Sequence, residues 1–224
     1  MSCALAIWVK TPGLSPVKTR LAARLGADAA LAIYEACVDA SAAVARAAAA
    51  IEPSLMPYWA VAEESALDAP RWRDFARIAQ GEGGLGERLA RVYAGLRQRH
   101  AGVLFIGADA PQCGAAALVA AARSLRDGEA DFLLGPAADG GFWLFGGRKP
   151  LPDAAWTGVT YSRGDTASAL AAQLEGHGFL AWLPTLRDLD QAGDIVALAA
   201  ALRALPAPLP EQQRLLALLD VTHP

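Results

Sequence analysis

The chain has 224 residues, of which 54% are apolar and 19% are charged, and its 20 basic and 23 acidic side chains leave a formal charge of −3. This balance lacks the basic excess that neutralises a phosphate backbone or an anionic leaflet, so it argues against nucleic-acid and peripheral-membrane binding. Much of the apolar fraction is alanine, and the longest alanine-rich run, residues 42–50, contains Arg46 and is far shorter than the about 20 residues of a membrane span. At about 150 residues per domain, we expect a single domain over residues 1–224, without a transmembrane segment.

Apolar runs typical of buried strands alternate with stretches of helical periodicity. In chain order, the predicted elements begin with a strand over 3–9 and a helix over 17–50, which is broken near Gly26 and has Asp28 as the cap of its second part. Strands over 54–61 and 75–79, a helix over 87–100, a strand over 103–106 and a helix from Pro111 to about Arg126 follow. The last predicted elements are strands over 131–135 and 141–145, a helix over 165–175, a strand over 179–183, and helices over 191–204 and 211–219. This alternation predicts a three-layer α/β/α sandwich with a mainly parallel sheet, in which ligands bind outside the carboxyl ends of the strands.

The three cysteines, Cys3, Cys37 and Cys113, are widely spaced and odd in number. They form neither a disulfide framework nor a metal-binding CxxC pair. Together with the absence of a basic segment before the first apolar run, this pattern favours a cytoplasmic protein. Cys113, near the proposed site, is expected to be a buried thiol.

Basic side chains cluster around the loop after the first strand, at Lys10, Lys18 and Arg20. Cations at the start of a helix oppose its dipole, by about 0.3–1 kcal/mol each, unless a bound anion reverses the sign. We interpret these residues as a phosphate site. The alternative is an ordinary solvated helix start.

A glycine-rich segment follows the third strand, from Gln80 and Gly81 to Arg88. It contains a literal G-x-G-x-x-G, but the preceding strand is short, charged and not part of a first βαβ unit, so a dinucleotide fingerprint is disfavoured. Either this segment approaches a ligand closely or it is a plain turn. No redox cofactor is expected.

Aspartates follow two other strands. Asp109 comes after a wholly apolar strand, where one carboxylate could hold Mg²⁺ or Mn²⁺ against a diphosphate, or could cap the next helix. Asp139 precedes Gly140 and Gly141, whose flexibility allows a tight bend or a close ligand approach.

Two further positions carry alternative interpretations. Trp143 is either a core residue or a surface on which a substrate stacks. Asp190 belongs to the literal D-x-D at 188–190, and its position favours a helix N-cap.

The ordered motifs resemble those of a bacterial family of GT-A-like transferases, often named for their association with radical-SAM/selenodomain proteins. The matching motifs are Lys10-x7-Lys18-Thr19-Arg20-Leu21, Gln80-Gly81-x-Gly83-x-Leu85-Gly86-x-Arg88, Gly107-x-Asp109-x-Pro111, Gly135-Pro136-x-x-Asp139-Gly140-Gly141, Ser162 after an aromatic residue, and Asp188-x-Asp190-x-x-x-Asp194.

The resemblance implies the fold of nucleotide-diphospho-sugar transferases, similar to 2-phospho-lactate and molybdenum-cofactor guanylyltransferases. By this analogy Asp109 and Asp190 are metal ligands for Mg²⁺ or Mn²⁺. The implied nucleotide- and phosphate-binding residues are Lys10, Lys18, Arg20, Gln80, Gly81 and Arg88. Asp139 and Lys18 are the implied catalytic residues, and the acceptor would lie against Gly140, Gly141, Trp143 and Ser162.

Two departures from the family pattern concern the substrates. Tyr161-Ser162-Arg163 stands where the family more often has Trp-Ser-Thr, which affects the acceptor contacts. The first loop also lacks the Gly-Gly-x-Ser-x-Arg-x-Gly-x-Lys pattern of well-studied nucleotidyltransferases.

The functional hypothesis is a metal-dependent transferase that uses a nucleotide-activated substrate and a second acceptor. Both glycosyl transfer from a nucleotide sugar and nucleotidyl transfer from a nucleoside triphosphate remain open at this point. The alternative from another class is a non-catalytic module that binds a nucleotide or senses a partner.

Overall fold

The computed structural model describes residues 1–222. The strands are β1 (Cys3–Val9), β2 (Leu55–Val61), β3 (Ala76–Ala79), β4 (Gly102–Gly107), β5 (Phe132–Pro136), β6 (Phe142–Gly147) and β7 (Leu180–Trp182). The helices are α1 (Thr19–Leu25), α2 (Ala27–Ile51), α3 (Leu85–Arg97), α4 (Ala115–Asp127), α5 (Asp153–Thr157), α6 (Thr166–Leu174), α7 (Asp194–Arg203) and α8 (Pro210–Thr222).

The seven strands form one sheet in the order β3-β2-β1-β4-β6-β5-β7. Every neighbouring pair is parallel except those of β6, which runs antiparallel to both β4 and β5. The carboxyl ends of β1, β3, β4 and β5 therefore lie at one edge, together with the amino end of β6. The predicted α/β fold with a mainly parallel sheet is confirmed.

Two apolar clusters cover the two faces of the sheet. Successive residues of β1 alternate between them: Leu5 and Ile7 pack against α2 and α4, whereas Ala4 and Ala6 face the cluster of α3, α5 and α6. This alternation is the period of two that a strand imposes on its side chains, and it makes β1 apolar on both faces.

A third apolar cluster lies outside this sandwich and joins α1 and α2 to the helices α7 and α8. Its buried members come from α1, α2, α7 and α8 and from the segment before α7; they are Leu21, Ala30, Ile33, Cys37, Ala40, Leu189, Ile195, Leu198, Ala199, Leu202, Leu215 and Leu219. We call it the terminal cluster. It fastens the start of α1 and residue 189 to the two C-terminal helices.

The local expectations at helix starts need correction. Asp28 lies inside the first turn of α2 and makes no capping hydrogen bond, because Gly26 occupies the N-cap position. Asp190 is not an N-cap either, since α7 begins only at residue 194. Asp109 likewise caps nothing, because Gly114 precedes α4. The short helix α5 and two 3₁₀ turns at Glu64–Ala66 and Pro70–Trp72 were not predicted.

Within residues 1–222, no helix is long and apolar enough to cross a membrane. Cys3, Cys37 and Cys113 are free and buried, which confirms the expectation for Cys113. Burial raises the pKa of each thiol to about 12, so none of them is a ready thiolate nucleophile.

Candidate functional site

A cleft of about 840 Å³ opens at the carboxyl ends of the strands. This volume suits a nucleotide-sized ligand. Its predicted basic and amide side chains are Lys10, Lys18, Arg20, Gln80 and Arg88, and its predicted carboxylates and hydroxyl are Asp109, Asp139, Asp190 and Ser162. Nine predicted site residues, drawn from several loops and from the first turns of α1 and α3, thus line one cavity.

Lys18 is the most constrained of these residues. It precedes α1 in the left-handed backbone region, with φ of 47°, which a lysine rarely adopts. Its side chain is only 5% exposed, and its ammonium donates to the Asp109 carboxylate and to the Leu189 carbonyl. Burial lowers the pKa of Lys18, but the opposing attraction of Asp109 and weaker anionic neighbours leaves that pKa raised. Lys18 is therefore a buried, protonated cation at the centre of the cleft.

A residue of α2, Tyr34, holds the backbone of the loop that carries Lys10. The Tyr34 hydroxyl accepts from the Lys10 amide at 2.9 Å and donates to the Lys10 carbonyl at 2.7 Å. The next residue is held as well, since the Thr11 amide donates to Glu63 at 2.7 Å. These bonds fix the backbone and leave the Lys10 side chain exposed at the cleft.

Gln80 is a buried residue whose side chain hydrogen-bonds to two strands and to Arg88. Its side-chain amide donates to the carbonyls of Val9 and Ala60, at 3.2 and 2.9 Å, and so ties β1 to β2. Its oxygen accepts from Arg88 at 3.1 Å and so orients that guanidinium along the cleft. Gly81 does not line the cleft; a side chain there would collide with Arg91, which binds the carbonyl of Gln80.

The two predicted metal carboxylates share a pattern. Lys18 holds one oxygen of Asp109, and Arg20 holds one oxygen of Asp190 at 2.8 Å. Among the described residues, the second oxygen of each carboxylate has no hydrogen-bond partner, and the two side chains are 49% and 41% exposed. Each aspartate is thus oriented by a cation, and its second carboxylate oxygen is free to act as a metal ligand.

No three His, Cys, Asp or Glu side chains within residues 1–222 form a preassembled metal site. The donors nevertheless fit Mg²⁺ or Mn²⁺, because these ions are commonly held by one or two carboxylates while phosphates and water complete the shell.

Asp139 lies in the hydrogen-bonded turn between β5 and β6. One of its oxygens accepts from the Gly141 amide at 2.8 Å. Gly140 has φ of 91°, and a Cβ there would lie 2.0 Å from the Gly164 carbonyl oxygen. Only glycine allows this approach, so residue 140 locks the Asp139 turn against the loop that bears Ser162.

Asp188 shows that carboxylates accumulate on this side of the cleft. Burial raises its pKa from 3.8 to about 6, and repulsion from Asp139 and Asp109 adds to the shift. Such crowding of like charges is a common feature of functional sites, because a bound cation relieves it.

Three of the residues expected near the acceptor lie differently. Trp143 is 6% exposed, belongs to the core, and donates its indole N–H to the Pro184 carbonyl at 3.0 Å. It does not line the cleft. Gly140 and Gly141 shape the Asp139 turn and are not among the lining residues either, whereas Ser162 is exposed at the cleft with φ of 61°.

The profile of a bacterial family, described as an uncharacterized protein conserved in bacteria (DUF2064), matches residues 39–163, more than half of the chain. The chain belongs to this family. The matched segment carries Gln80, Arg88, Asp109 and Asp139, whereas Lys18 and Asp190 lie on either side of it. The sequence matches no curated protein.

Solved structures confirm the fold. A protein from Desulfovibrio desulfuricans G20, described as a candidate nucleotide-diphospho-sugar transferase, superposes with a TM-score of 0.83 at 23% identity over 99% of both chains. Bifunctional IspDF from Campylobacter jejuni gives 0.52 at 14% identity, covering 94% of this chain and 56% of its own. A Mycobacterium tuberculosis rv0371c homolog from Mycobacterium sp. strain JC1 gives 0.51 at 17% identity, covering 90% and 98%. This chain therefore has a nucleotide-diphospho-sugar transferase-like fold.

Sequence reasoning missed several residues of the cleft. Trp8, Tyr34 and Arg163 line it without belonging to any predicted site. Tyr34 lies in the middle of a helix, where no local signal marks it. Asp188 was named in the D-x-D motif but was given no role in the site, although two aspartates separated by one residue in an extended segment point to the same side.

Proposed function

We propose that this protein is a transferase that uses Mg²⁺ or Mn²⁺ and a nucleotide-activated substrate. The observation that carries the proposal is the shared cleft, in which basic side chains meet carboxylates that each keep one free oxygen. A diphosphate suits this combination, since the cations would neutralise its charge and the carboxylates would hold a divalent metal that supplies further positive charge.

The first loop favours a nucleotide sugar over a nucleoside triphosphate. Loops that wrap a triphosphate offer it several free backbone N–H groups. Here the amides of Leu14 and Ser15 both donate to the Thr11 carbonyl, and Pro12 and Pro16 have no N–H. The amides of Lys10 and Thr11 are used as well, so that in residues 10–16 only the Gly13 amide is free. We therefore favour glycosyl transfer with a nucleoside diphosphate as the leaving group. Nucleotidyl transfer is the second candidate, because the amides of residues 17–21 at the start of α1 are also free to bind phosphate.

Each cleft residue has a chemical role in this proposal. Lys10, Arg20 and Arg88 bind the phosphates, and Lys18 neutralises charge that develops on the leaving phosphate. Asp109 and Asp190 would hold the metal, which would supply Lewis-acid stabilisation of the same charge. Asp139 accepts the proton of the acceptor hydroxyl as it attacks, and Gly140, Gly141 and Ser162 shape the acceptor side.

Calorimetric titration of UDP and GDP, each with and without Mn²⁺, tests the nucleotide and metal parts of the proposal. We expect metal to strengthen binding in the parent protein and Asp109→Asn to remove that gain. Asp127→Asn, which changes an exposed carboxylate beside Arg126, is the matched control. Metal-dependent binding that survives Asp109→Asn unchanged refutes the metal assignment.

Product analysis distinguishes the reaction types. Release of a nucleoside diphosphate from a nucleotide sugar supports glycosyl transfer, and release of pyrophosphate from a nucleoside triphosphate would replace it with nucleotidyl transfer. Nucleotide binding without turnover, together with tolerance of Asp139→Ala, would identify a non-catalytic module.

A further inference from the structure

A buried glutamine of the C-terminal helix α8 reaches the turn that follows Asp109. Gln212 is 3% exposed, and its amide nitrogen donates to the carbonyls of Pro111 and Cys113, at 2.8 and 3.3 Å. Its oxygen accepts from the Leu209 amide at 2.9 Å. Both N–H groups and the oxygen of the side chain are therefore used, which offsets the cost of burying an amide.

The same turn is held from a second direction. The Leu189 amide donates to the Asp109 carbonyl at 2.9 Å, and the Gln112 side chain donates to the Arg187 carbonyl at 2.6 Å. Residues 109–113 are thus hydrogen-bonded to α8 on one side and to residues 187–189 on the other.

Lys18 depends on the same support. Its two acceptors are the Asp109 carboxylate and the Leu189 carbonyl, and Leu189 is a buried member of the terminal cluster together with Leu215 of α8. A shift of α8 would therefore move both acceptors of the buried lysine.

We propose that Gln212 is a positioning residue that sets the Asp109 carboxylate against Lys18 and the bound substrate. This assignment rests on the proposed function, and it extends the functional unit to a helix outside residues 39–163. Gln212 lies behind the turn and does not line the cleft. It acts through hydrogen bonds to the backbone, where displacements of about 1 Å can cost as much as 100-fold in rate.

Gln212→Met tests the proposal, because it keeps the length of the side chain and removes all three hydrogen bonds. Gln213→Met is the matched control on the same helix, since Gln213 is exposed and makes only a 3.4 Å contact with the Pro208 carbonyl. Gln212→Glu is the second variant; it keeps the acceptor for Leu209 and loses the donors to the turn.

Two readouts are needed. Amide hydrogen exchange reports on the Cys113 and Leu189 amides, which bond to the carbonyls of Ala110 and Asp109. Calorimetry of UDP and GDP in the presence of Mn²⁺ reports on binding. In both Gln212 variants we expect exchange of these two amides to rise about tenfold or more and nucleotide affinity to fall about tenfold, with Gln213→Met close to the parent protein.

A lower Tm with parental exchange and parental affinity would overturn the proposal, because it would leave Gln212 a merely structural role. If the parent protein binds neither nucleotide, the proposed function fails, and the exchange measurement alone decides whether Gln212 holds the turn at residues 109–113 and so sets Asp109 against Lys18. Faster exchange at both amides then supports it, and unchanged exchange overturns it.

Discussion

Lys18 donates a hydrogen bond to Asp109, which lies 91 residues further along the chain, and the two partners differ sharply in exposure. The lysine side chain is 5% exposed and the aspartate side chain 49%. The ion pair is therefore asymmetric: solvent can rehydrate the carboxylate fully if its partner is lost, whereas it can hydrate the nearly buried lysine side chain only weakly.

This asymmetry predicts unequal costs for two nearly isosteric substitutions. Asp109→Asn leaves a buried cation without its counter-charge and should lower the free energy of unfolding by about 2–3 kcal/mol. Lys18→Met leaves a half-exposed carboxylate and should cost about 1 kcal/mol. Urea unfolding at pH 7 measures both, and a larger loss in Lys18→Met would contradict the burial argument.

Arg20 should weaken the binding of a metal ion without nucleotide, because its positive charge neutralises the Asp190 carboxylate. We expect Arg20→Met to raise the affinity for Mn²⁺ alone a few-fold, and to lower the affinity for a nucleoside diphosphate, which loses a cation. The change is modest because the pair is exposed. Calorimetry of each ligand separates the two effects, and Arg24→Met, on the same helix and outside the cleft, is the control. Equal changes in both affinities, in the same direction, would argue against this role.

Gly140 and Gly13 have nearly the same backbone angle and different surroundings. Both have positive φ, 91° and 86°, but a Cβ at Gly13 meets nothing within 4 Å, whereas at Gly140 it collides with the Gly164 backbone. Gly13→Ala should therefore cost about 1–2 kcal/mol of stability from strain alone. Gly140→Ala should cost about 3 kcal/mol or more, and it should displace Asp139. Equal losses in chemical denaturation would show that the 140–164 contact relaxes freely.

Asp131, which lies away from the cleft, stabilises the fold through ion pairs that are lost at low pH. It accepts from Lys149 and from the Phe179 amide and pairs with Arg148, and these contacts lower its pKa from 3.8 to about 2. A carboxylate with a lowered pKa stabilises the fold fully above its unfolded pKa and loses that effect as the pH falls through its folded pKa.

Asp131→Asn should therefore reduce stability by about 1–2 kcal/mol near pH 6, and the difference from the parent protein should vanish between about pH 4 and pH 2. Thermal unfolding of both proteins across this range measures the difference. A gap that stays constant down to pH 2 would mean that the Asp131 charge contributes nothing.

Local pattern predicted the strands well, because β1 and β4 are apolar on both faces and end in turn-forming residues. It also predicted that Lys10, Asp109 and Asp139 would meet, since parallel strands bring their carboxyl ends to one edge. The helix starts were less predictable. Asp28 and Asp190 have the residue type of a cap, but glycines take the N-cap positions.

Long-range contacts explain what the sequence could not predict. Trp143 follows the Asp139 turn closely and was a reasonable candidate for contact with a substrate, but β6 turns it into the core against Gly135. Gln212 has no motif around it, and its importance depends on the packing of α8 against a turn 99–101 residues away.

The segment before α7 supports both key aspartates at once. Leu186 donates to the Pro136 carbonyl and accepts from the Ala138 amide, next to Asp139, and Leu189 donates to the Asp109 carbonyl. Because Leu189 is packed in the terminal cluster, substitutions in α7 and α8 that move this segment should disturb both turns together. The donor and acceptor sides of the cleft are therefore expected to change jointly during directed evolution.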